Sequence, residues 1–335
     1  MAGAKLSRIK NLTYRENMFE LLKSRMSGPW YTVFTPFKAD ESIDFEVLEK
    51  YLNILFRQGA RRFYVMAYNS RYSQLTTDEI YSLNAFVIST LKQLDSTNIV
   101  IVGDPIHCST KQSLEFTIHA KEHGADLISL IFREKYFSDE QVLEHFDYIG
   151  QSSNFPLLVH EMPFLSGFDG TQMHWPHSLM EELTKVPQIA ALKEDAKDFN
   201  ITCKALSLEP KIKIIIAGGG KAALKKYLPH GATAWLNGIS IIDASIAELF
   251  WQACIDNNND LQDYIIENLE KPFFSSVVPK FGWHRTNKAL LQAAGLMHRR
   301  DRMPLKHLSD KEFIEVQQVF NQVDLAWKSF RSNNS

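Results

Sequence analysis

Eight short apolar runs, separated by longer helical patterns, constrain the fold of this chain most strongly. Most of the runs are rich in valine, isoleucine and aromatic residues, as strands buried on both faces of a parallel sheet require. They are Trp30–Phe34, Phe63–Met66, Ile99–Val102, Leu127–Phe132, Leu157–Val159, Ile189–Leu192, Lys213–Ala217 and Thr233–Leu236. The stretches between them carry helix start signals, such as the capping-box spacing of Thr76–Glu79.

Eight strand–helix units predict an α/β fold, a (β/α)₈ TIM barrel with a C-terminal helical extension. A doubly wound open sheet is the alternative, but it would use fewer strands and a glycine fingerprint after the first one, which Thr35–Lys38 lacks. We expect an N-terminal helical extension at residues 1–27, the barrel at 28–243 and the helical region at 244–335. Helical patterns in that last region cover residues 245–256, 259–274, 285–298 and 309–328.

Composition excludes several classes of protein. The formal net charge is −2, which favours neither nucleic acid nor a membrane surface as a partner. No apolar run approaches the ~20 residues that span a bilayer. The three cysteines are far apart and form no Cys-x-x-Cys pair, which fits a reducing compartment. We therefore expect a cytoplasmic protein whose partners are small molecules.

In a (β/α)₈ barrel the chemistry lies at the carboxyl ends of the strands, so position alone selects the candidate residues. They are Thr35, Tyr68–Arg71, Asp104–His107, Arg133–Tyr136, His160, Glu161, Lys193, Gly218–Lys221 and Asn237. Asp104, His107, His160 and Glu161 match no compact metal-ligand motif, so we expect no metal.

Lys193 follows an apolar strand, where burial would lower its pKa and leave a free amine that attacks a carbonyl. The structural alternative is an amine paired with a nearby carboxylate such as Glu161. His160 follows the preceding strand, and an imidazole can move protons near neutrality. A hydrogen-bonded core histidine is the alternative.

The chain resembles the dihydrodipicolinate synthase / N-acetylneuraminate lyase family, the class I pyruvate-dependent aldolases, in the order and spacing of many short motifs. The resemblance runs from Gly28 to Leu308. Its features are Thr35–Phe37, Ile43–Asp44, Gly59, Leu75–Glu79, Gly103, Ser109–Thr110, Gly124–Asp126, His145–Phe146, Pro156, Pro163, Ser166–Gly167, Leu192–Glu194, Gly219, Gly231–Ala232, Lys288, Gly295–Leu296 and Arg302–Leu305. It implies a Schiff base on Lys193 and a homodimer or homotetramer.

The chain departs from the family pattern where substrate is handled. Ala67–Arg71 replaces the Gly-Thr-Thr-Gly-Glu loop that holds the substrate carboxylate, and His160–Pro163 replaces Tyr-Asn-x-Pro with its relay tyrosine. Tyr136 is the candidate for the tyrosine that follows strand 4. Leu165 stands where the dihydrodipicolinate branch has an arginine, so we do not expect that branch's reaction.

Several residues are candidates for holding the substrate. Tyr68, Asn69, Ser70 and Arg71 replace the carboxylate-binding loop, and Arg71 offers a two-pronged hydrogen bond. The alternative is that this loop fills the pocket. Gly219 and Asn237 follow strands 7 and 8. Lys221, after three glycines, is either part of an anion site or a solvated lysine beside an ordinary glycine turn.

These observations favour a Schiff-base-forming lyase or aldolase acting on a 2-oxo acid or related carbonyl substrate, without a cofactor. Lys193, His160 and Tyr136 would be catalytic, and Tyr68–Arg71, Gly219 and Asn237 would bind substrate. The alternative is a catalytically inactive barrel retained for ligand binding or assembly. An open pocket around Lys193, rather than one plugged by Tyr68, Arg71 and Phe164, would favour the enzyme.

Overall fold

Eight parallel strands close into a barrel in chain order, and the last strand pairs with the first. The computed structural model describes residues 20–132, 137–162 and 174–333. The strands are β1 (Gly28–Thr32), β2 (Arg62–Val65), β3 (Ile99–Gly103), β4 (Leu127–Ile131), β5 (Leu157–His160), β6 (Ile189–Glu194), β7 (Lys213–Ile216) and β8 (Ala234–Leu236). The predicted (β/α)₈ barrel is confirmed.

Helices surround the barrel and extend beyond it. Residues 20–25 are helical (α1) and precede β1. The helices after the first seven strands are α2 (Phe45–Arg57), α3 (Thr77–Leu94), α4 (Thr110–Glu122), α5 (Asp139–Ser153), α6 (His177–Leu183), α7 (Phe199–Leu206) and α8 (Gly220–Tyr227), with 3₁₀ turns at Tyr72–Gln74 and Leu228–His230. No helix in the described residues is both long enough and apolar enough to cross a membrane.

Strand side chains alternate between the barrel interior and the surrounding helices, as the two-residue period of a strand requires. Trp30, Tyr64 and Ile101 lie inside the barrel, in a cluster separate from the main core. Their neighbours Tyr31 and Phe63 belong to the main core between sheet and helices. The interior is therefore a filled core, and space for a ligand remains at its carboxyl end.

The C-terminal region is helical, as expected, but its divisions differ from the sequence prediction. Its helices are α9 (Ala244–Ile255), α10 (Asn259–Ile265), α11 (Lys271–Ser275), α12 (Val277–Phe281), α13 (Trp283–Ala293) and α14 (Asp310–Asn333), with a π-helical segment at Ile266–Glu270. The single helix predicted at 259–274 is thus divided. The pattern predicted at 285–298 ends early because Gly295 takes a positive φ of 72° just after it.

These helices pack on the carboxyl end of the barrel. The Lys288 ammonium donates to the Thr35 carbonyl at 2.7 Å, next to the end of β1. Arg302 forms an ion pair with Glu79, which also closes the predicted capping box of α3 with Thr76. The extension therefore covers the face at which the candidate residues lie.

Candidate active site

A cavity of about 250 Å³ lies at the carboxyl end of the barrel, between the strand ends and the C-terminal helices. The barrel contributes Thr32, Met66, Tyr68, Asn69, Met162, Lys193, Asp195, Lys197, Ala217, Gly218, Gly219, Gly220, Leu236 and Gly238. The extension contributes Phe274, Val278 and Trp283. A concave, mostly apolar space with a few charged groups is the usual form of a small-molecule site.

Lys193 is buried in the wall of this cavity, with 1% of its surface exposed. It is the second-to-last residue of β6. Its Nζ lies 2.8 Å from His160 Nε2 and 2.9 Å from Asp195 Oδ2. Burial lowers the pKa of Lys193 below its ordinary value, and the Asp195 carboxylate opposes this effect without cancelling it. The amine is therefore more readily deprotonated than that of an exposed lysine.

Lys193 pairs with Asp195 and not with Glu161, the partner considered from the sequence. Glu161 instead accepts a hydrogen bond from the Trp175 backbone N–H at 2.5 Å. Asp195 reaches the amine because residues two apart on a strand point to the same side, which places Lys193 and Asp195 together inside the barrel. Glu194, between them, faces outward and accepts from the Thr202 hydroxyl.

His160 lies behind Lys193 rather than in the cavity. It is completely buried and does not line the cavity wall. Burial, together with the positive charge of Lys193, holds the pKa of His160 well below its ordinary value. A neutral imidazole can accept the hydrogen bond from Lys193 through Nε2, which puts its own hydrogen on Nδ1. His160 can thus orient the amine.

The loop after β2 brings two of its four candidates to the cavity. Tyr68 and Asn69 line it, and Trp283 Nε1 donates to Asn69 Oδ1 at 3.3 Å. Ser70 is buried elsewhere, where its hydroxyl donates to the Val33 carbonyl at 2.6 Å. Arg71 does not line the cavity either.

Arg71 has a left-handed backbone conformation with φ of 55°. Its guanidinium lies 4.6 Å from the centre of the Tyr68 ring, a cation–π contact. Of the possible plugging residues that the structure describes, Tyr68 therefore forms part of the cavity wall and Arg71 lies outside it.

The glycine loop after β7 already holds an internal anion. Gly219 lines the cavity, but Lys221 is buried, with its Nζ 3.2 Å from Glu270 Oε1 and 2.6 Å from Ser240 Oγ. Glu270 Oε2 also accepts from the Lys221 backbone N–H at 2.7 Å. The prediction of a solvated Lys221 was therefore wrong, and the anion position at the glycine turn is occupied by the Glu270 carboxylate of the π-helical segment.

Asn237 and Tyr136 complete the comparison with the candidates chosen from sequence. Asn237 is buried outside the cavity, and its side-chain oxygen and nitrogen have no hydrogen-bond partner among the described residues. Its carbonyl accepts from Lys221 Nζ at 3.3 Å. Tyr136 lies outside the described residues, as do Phe164 and Leu165. Within the described ranges no cluster of three His, Cys, Asp or Glu residues fits a metal ion.

Sequence reasoning missed Asp195 and Lys197, the other charged residues of the cavity wall. The signal for Asp195 was available, since strand alternation places it on the same side as Lys193. Lys197 follows the strand with a φ of 58°, and its side chain packs over Gly218, where an added Cβ would lie 2.9 Å from Lys197 Cε. No sequence pattern predicts that path.

The sequence model of the dihydrodipicolinate synthetase family matches residues 25–323. The chain belongs to this family. A 4-hydroxy-tetrahydrodipicolinate synthase from Staphylococcus carnosus is 33% identical over 234 residues, covering 69% of this chain and 74% of that protein. One from Staphylococcus epidermidis is 24% identical over 301 residues, covering 88% of this chain and 96% of the relative.

Solved structures of the family share the fold. N-acetylneuraminate lyase from Fusobacterium nucleatum has a TM-score of 0.77 at 17% identity, covering 89% of this chain and 99% of that one. Dihydrodipicolinate synthase from Oceanobacillus iheyensis has the same TM-score and identity, covering 93% and 99%. The resemblance found in the sequence is confirmed. Members of the dihydrodipicolinate synthetase family are lyases or aldolases, so the broad class of activity follows.

Proposed function

We propose that this chain is a Schiff-base-forming lyase or aldolase that acts on a 2-oxo acid or a related carbonyl compound. The observation that carries the proposal is a buried lysine with a lowered pKa in the wall of a ligand-sized cavity. A neutral amine is the nucleophile that attacks a carbonyl, and the resulting iminium draws electrons from the adjacent carbon–carbon bond. Family membership supports the same class of chemistry.

In this proposal His160 orients the Lys193 amine, and the cavity binds the substrate. His160 Nε2 holds Lys193 Nζ so that the nitrogen lone pair can face the cavity. Apolar residues such as Met66, Leu236 and Val278 exclude water from the imine, which protects it from premature hydrolysis.

The basic side chains of the cavity wall support a substrate that carries a carboxylate. Among the described lining residues the acidic and basic side chains are Lys193, Lys197 and Asp195. Lys197, unlike Arg71, lies in the cavity wall, so we propose that it contacts the substrate carboxylate after Lys193 has formed the imine.

We further propose that the substrate pair differs from that of a dihydrodipicolinate synthase. Leu165 replaces the arginine expected to hold the second carboxylate in that branch. An apolar side chain there would leave a carboxylate without its partner, which costs several kcal/mol. A hydroxylated 2-oxo acid, such as a 2-oxo-3-deoxy sugar acid, avoids that requirement.

Borohydride trapping tests the proposal directly. The protein is incubated with pyruvate, 2-oxobutanoate and a panel of 2-oxo-3-deoxy sugar acids, reduced, and measured by intact mass and peptide mapping. We expect one adduct, on the peptide containing Lys193, and none in Lys193→Ala. Lys197→Ala is the matched control and should keep the adduct at a higher half-saturating concentration. No adduct with any compound would contradict the proposal.

The inactive-barrel alternative has a separate outcome. An adduct on Lys193 without cleavage or condensation of any substrate in the panel would favour a ligand-binding role. The Lys193–Asp195 ion pair is compatible with either role, so turnover has to be measured alongside trapping.

A further inference from the structure

Asp195 is the one carboxylate in the described part of the chain that both lines the cavity and contacts Lys193. Its Oδ2 accepts from Lys193 Nζ at 2.9 Å. Its Oδ1 is buried and has no hydrogen-bond partner among the described residues. An added Cβ on Gly218 would lie 3.5 Å from Oδ1, so this oxygen faces the glycine wall of the cavity.

The acid–base residues that contact or directly adjoin Lys193, other than Asp195, point away from the cavity. His160 contacts Lys193 but lies outside the cavity, where it cannot meet a substrate atom. Glu194 is directed toward α7, where the Ala196 backbone N–H and the Thr202 hydroxyl bind it. Asp195 is thus the described carboxylate that shares the cavity with the carbonyl compound bound to the amine.

We propose that Asp195 is the catalytic acid–base residue that acts on the substrate itself. This inference rests on the proposed Schiff-base function of Lys193. The third carbon of a 2-oxo acid imine is two bonds from the lysine nitrogen, so a carboxylate in hydrogen-bond contact with that nitrogen is also within reach of the hydrogens on this carbon. Asp195 would therefore provide the acid–base group that the family's relay tyrosine does not provide in this chain.

The proton and electrons balance in each step. Asp195 removes a proton from the third carbon, the C–H electrons form a carbon–carbon double bond, and the iminium electrons move to the lysine nitrogen. The enamine carbon then attacks an aldehyde, forming the new carbon–carbon bond and restoring the iminium. The aldehyde oxygen takes the proton from Asp195, which returns to a carboxylate. In the cleavage direction the same steps run in reverse.

Deuterium exchange separates this role from a role in holding Lys193. Pyruvate and 2-oxobutanoate are incubated with the protein in deuterium oxide, and loss of the hydrogens on the third carbon is followed by proton NMR. The same samples are trapped with borohydride. Asp195→Asn has nearly the shape of the native side chain but cannot accept the proton. We expect its exchange to fall by about 10²-fold or more, while the Lys193 adduct still forms.

A pH profile gives a second readout with a definite sign. Asp195 raises the pKa of Lys193, so its removal should lower that pKa further. Because the neutral amine forms the imine, the acid limb of trapping should move to lower pH in Asp195→Asn. Glu194→Gln is the matched control, one residue away on the opposite face. It should leave the exchange rate unchanged and move the acid limb less than Asp195→Asn does, because Glu194 raises the pKa of Lys193 less than Asp195 does.

The outcomes distinguish the proposed role of Asp195 from the proposed Schiff-base function of Lys193. An adduct in the wild type with exchange equally fast in Asp195→Asn would overturn the role of Asp195 and leave the Schiff base intact. Equal losses of adduct and exchange in a folded Asp195→Asn would also overturn it, because the residue would then only position Lys193. No adduct in the wild type would overturn both proposals. Partial recovery of exchange in Asp195→Glu is the expected rescue.

Discussion

Burial has opposite chemical consequences for the two basic side chains that meet in the barrel. It lowers the pKa of Lys193, which makes the amine a better nucleophile near neutral pH. It also holds the pKa of His160 well below its ordinary value, which makes the imidazole unable to keep a proton there. The same loss of water thus activates the lysine and leaves His160 as a hydrogen-bond acceptor.

We predict that His160→Phe slows imine formation itself, by about 10²-fold. Phenylalanine fills the space but offers no acceptor to Lys193 Nζ, so the buried amine loses the contact that orients it. The measurement is the initial rate of borohydride-trapped adduct with pyruvate. The rates of deuterium exchange and of adduct trapping should fall together. In Asp195→Asn, by contrast, we expect exchange to fall while the adduct still forms.

The matched control for this variant is His145→Phe. His145 is also buried, and burial lowers its pKa to about 4, but its ring contacts the Thr110 hydroxyl and lies outside the cavity. Its trapping rate should match that of the wild type. A His160→Phe rate within a few-fold of the wild type would show that the histidine only fills space behind the lysine.

At the scale of single elements, strands and helices could be predicted because their patterns are local. Alternating apolar runs gave all eight strands, and capping residues such as Thr76 and Ser138 gave the starts of α3 and α5. The buried ion pair of Lys221 could not be predicted in this way. Its partner Glu270 is 49 positions away, on a π-helical segment whose position depends on tertiary packing.

The cavity residues also divide into those with a local sequence signal and those placed by tertiary packing. Lys193 could be predicted because it follows a strand, and position along a barrel strand is a local signal. Trp283 and Phe274 could not be predicted, because they reach the cavity only after the extension folds back over the barrel. Arg71 has the residue type expected of a carboxylate ligand, but its backbone turn directs it onto Tyr68.

The contact between the glycine loop and the π-helical segment predicts a stability effect. A methyl group on Gly220 would lie 2.5 Å from Glu270 Oε1, and φ there is 57°. Gly220→Ala must therefore displace a carboxylate that pairs with buried Lys221, and a buried cation left unpaired is costly. We expect a loss of about 3 kcal/mol in the free energy of unfolding, measured by urea denaturation.

Gly231→Ala is the control for backbone strain alone. Gly231 has a φ of 88°, but an added Cβ there would have no atom within 4 Å. The free energy of unfolding of Gly231→Ala should fall by about 1 kcal/mol. Equal losses for the two variants would show that the Glu270 contact contributes little and that strain explains both.

At the scale of the whole molecule, the cavity is a joint product of barrel and extension. The barrel supplies the lysine and the charged groups, whereas Phe274, Val278 and Trp283 of the extension supply the apolar cover. The hydrogen bond from Trp283 to Asn69 and the one from Lys288 to Thr35 join the two at the rim. The shape of the cavity therefore depends on contacts between residues that lie far apart in the sequence.

Exposed aromatic residues near the end of β4 indicate a second surface. Tyr148 and Phe137 are 55% and 49% exposed, and both line a groove beside His145. Exposed aromatic residues grouped on one face are typical of protein contacts. The resemblance to the family implies a homodimer or homotetramer, and we expect this surface to meet a second copy of the chain.

Sedimentation at micromolar concentration should therefore give the mass of two or four chains of 38.5 kDa each. Tyr148→Lys adds a charge at the groove and should shift the equilibrium toward the monomer, because burying an unpaired ammonium opposes association. Leu325→Lys is the matched control, since Leu325 is 67% exposed on α14. It should leave the mass unchanged. A monomeric wild type, or equal effects of the two variants, would contradict an interface at this groove.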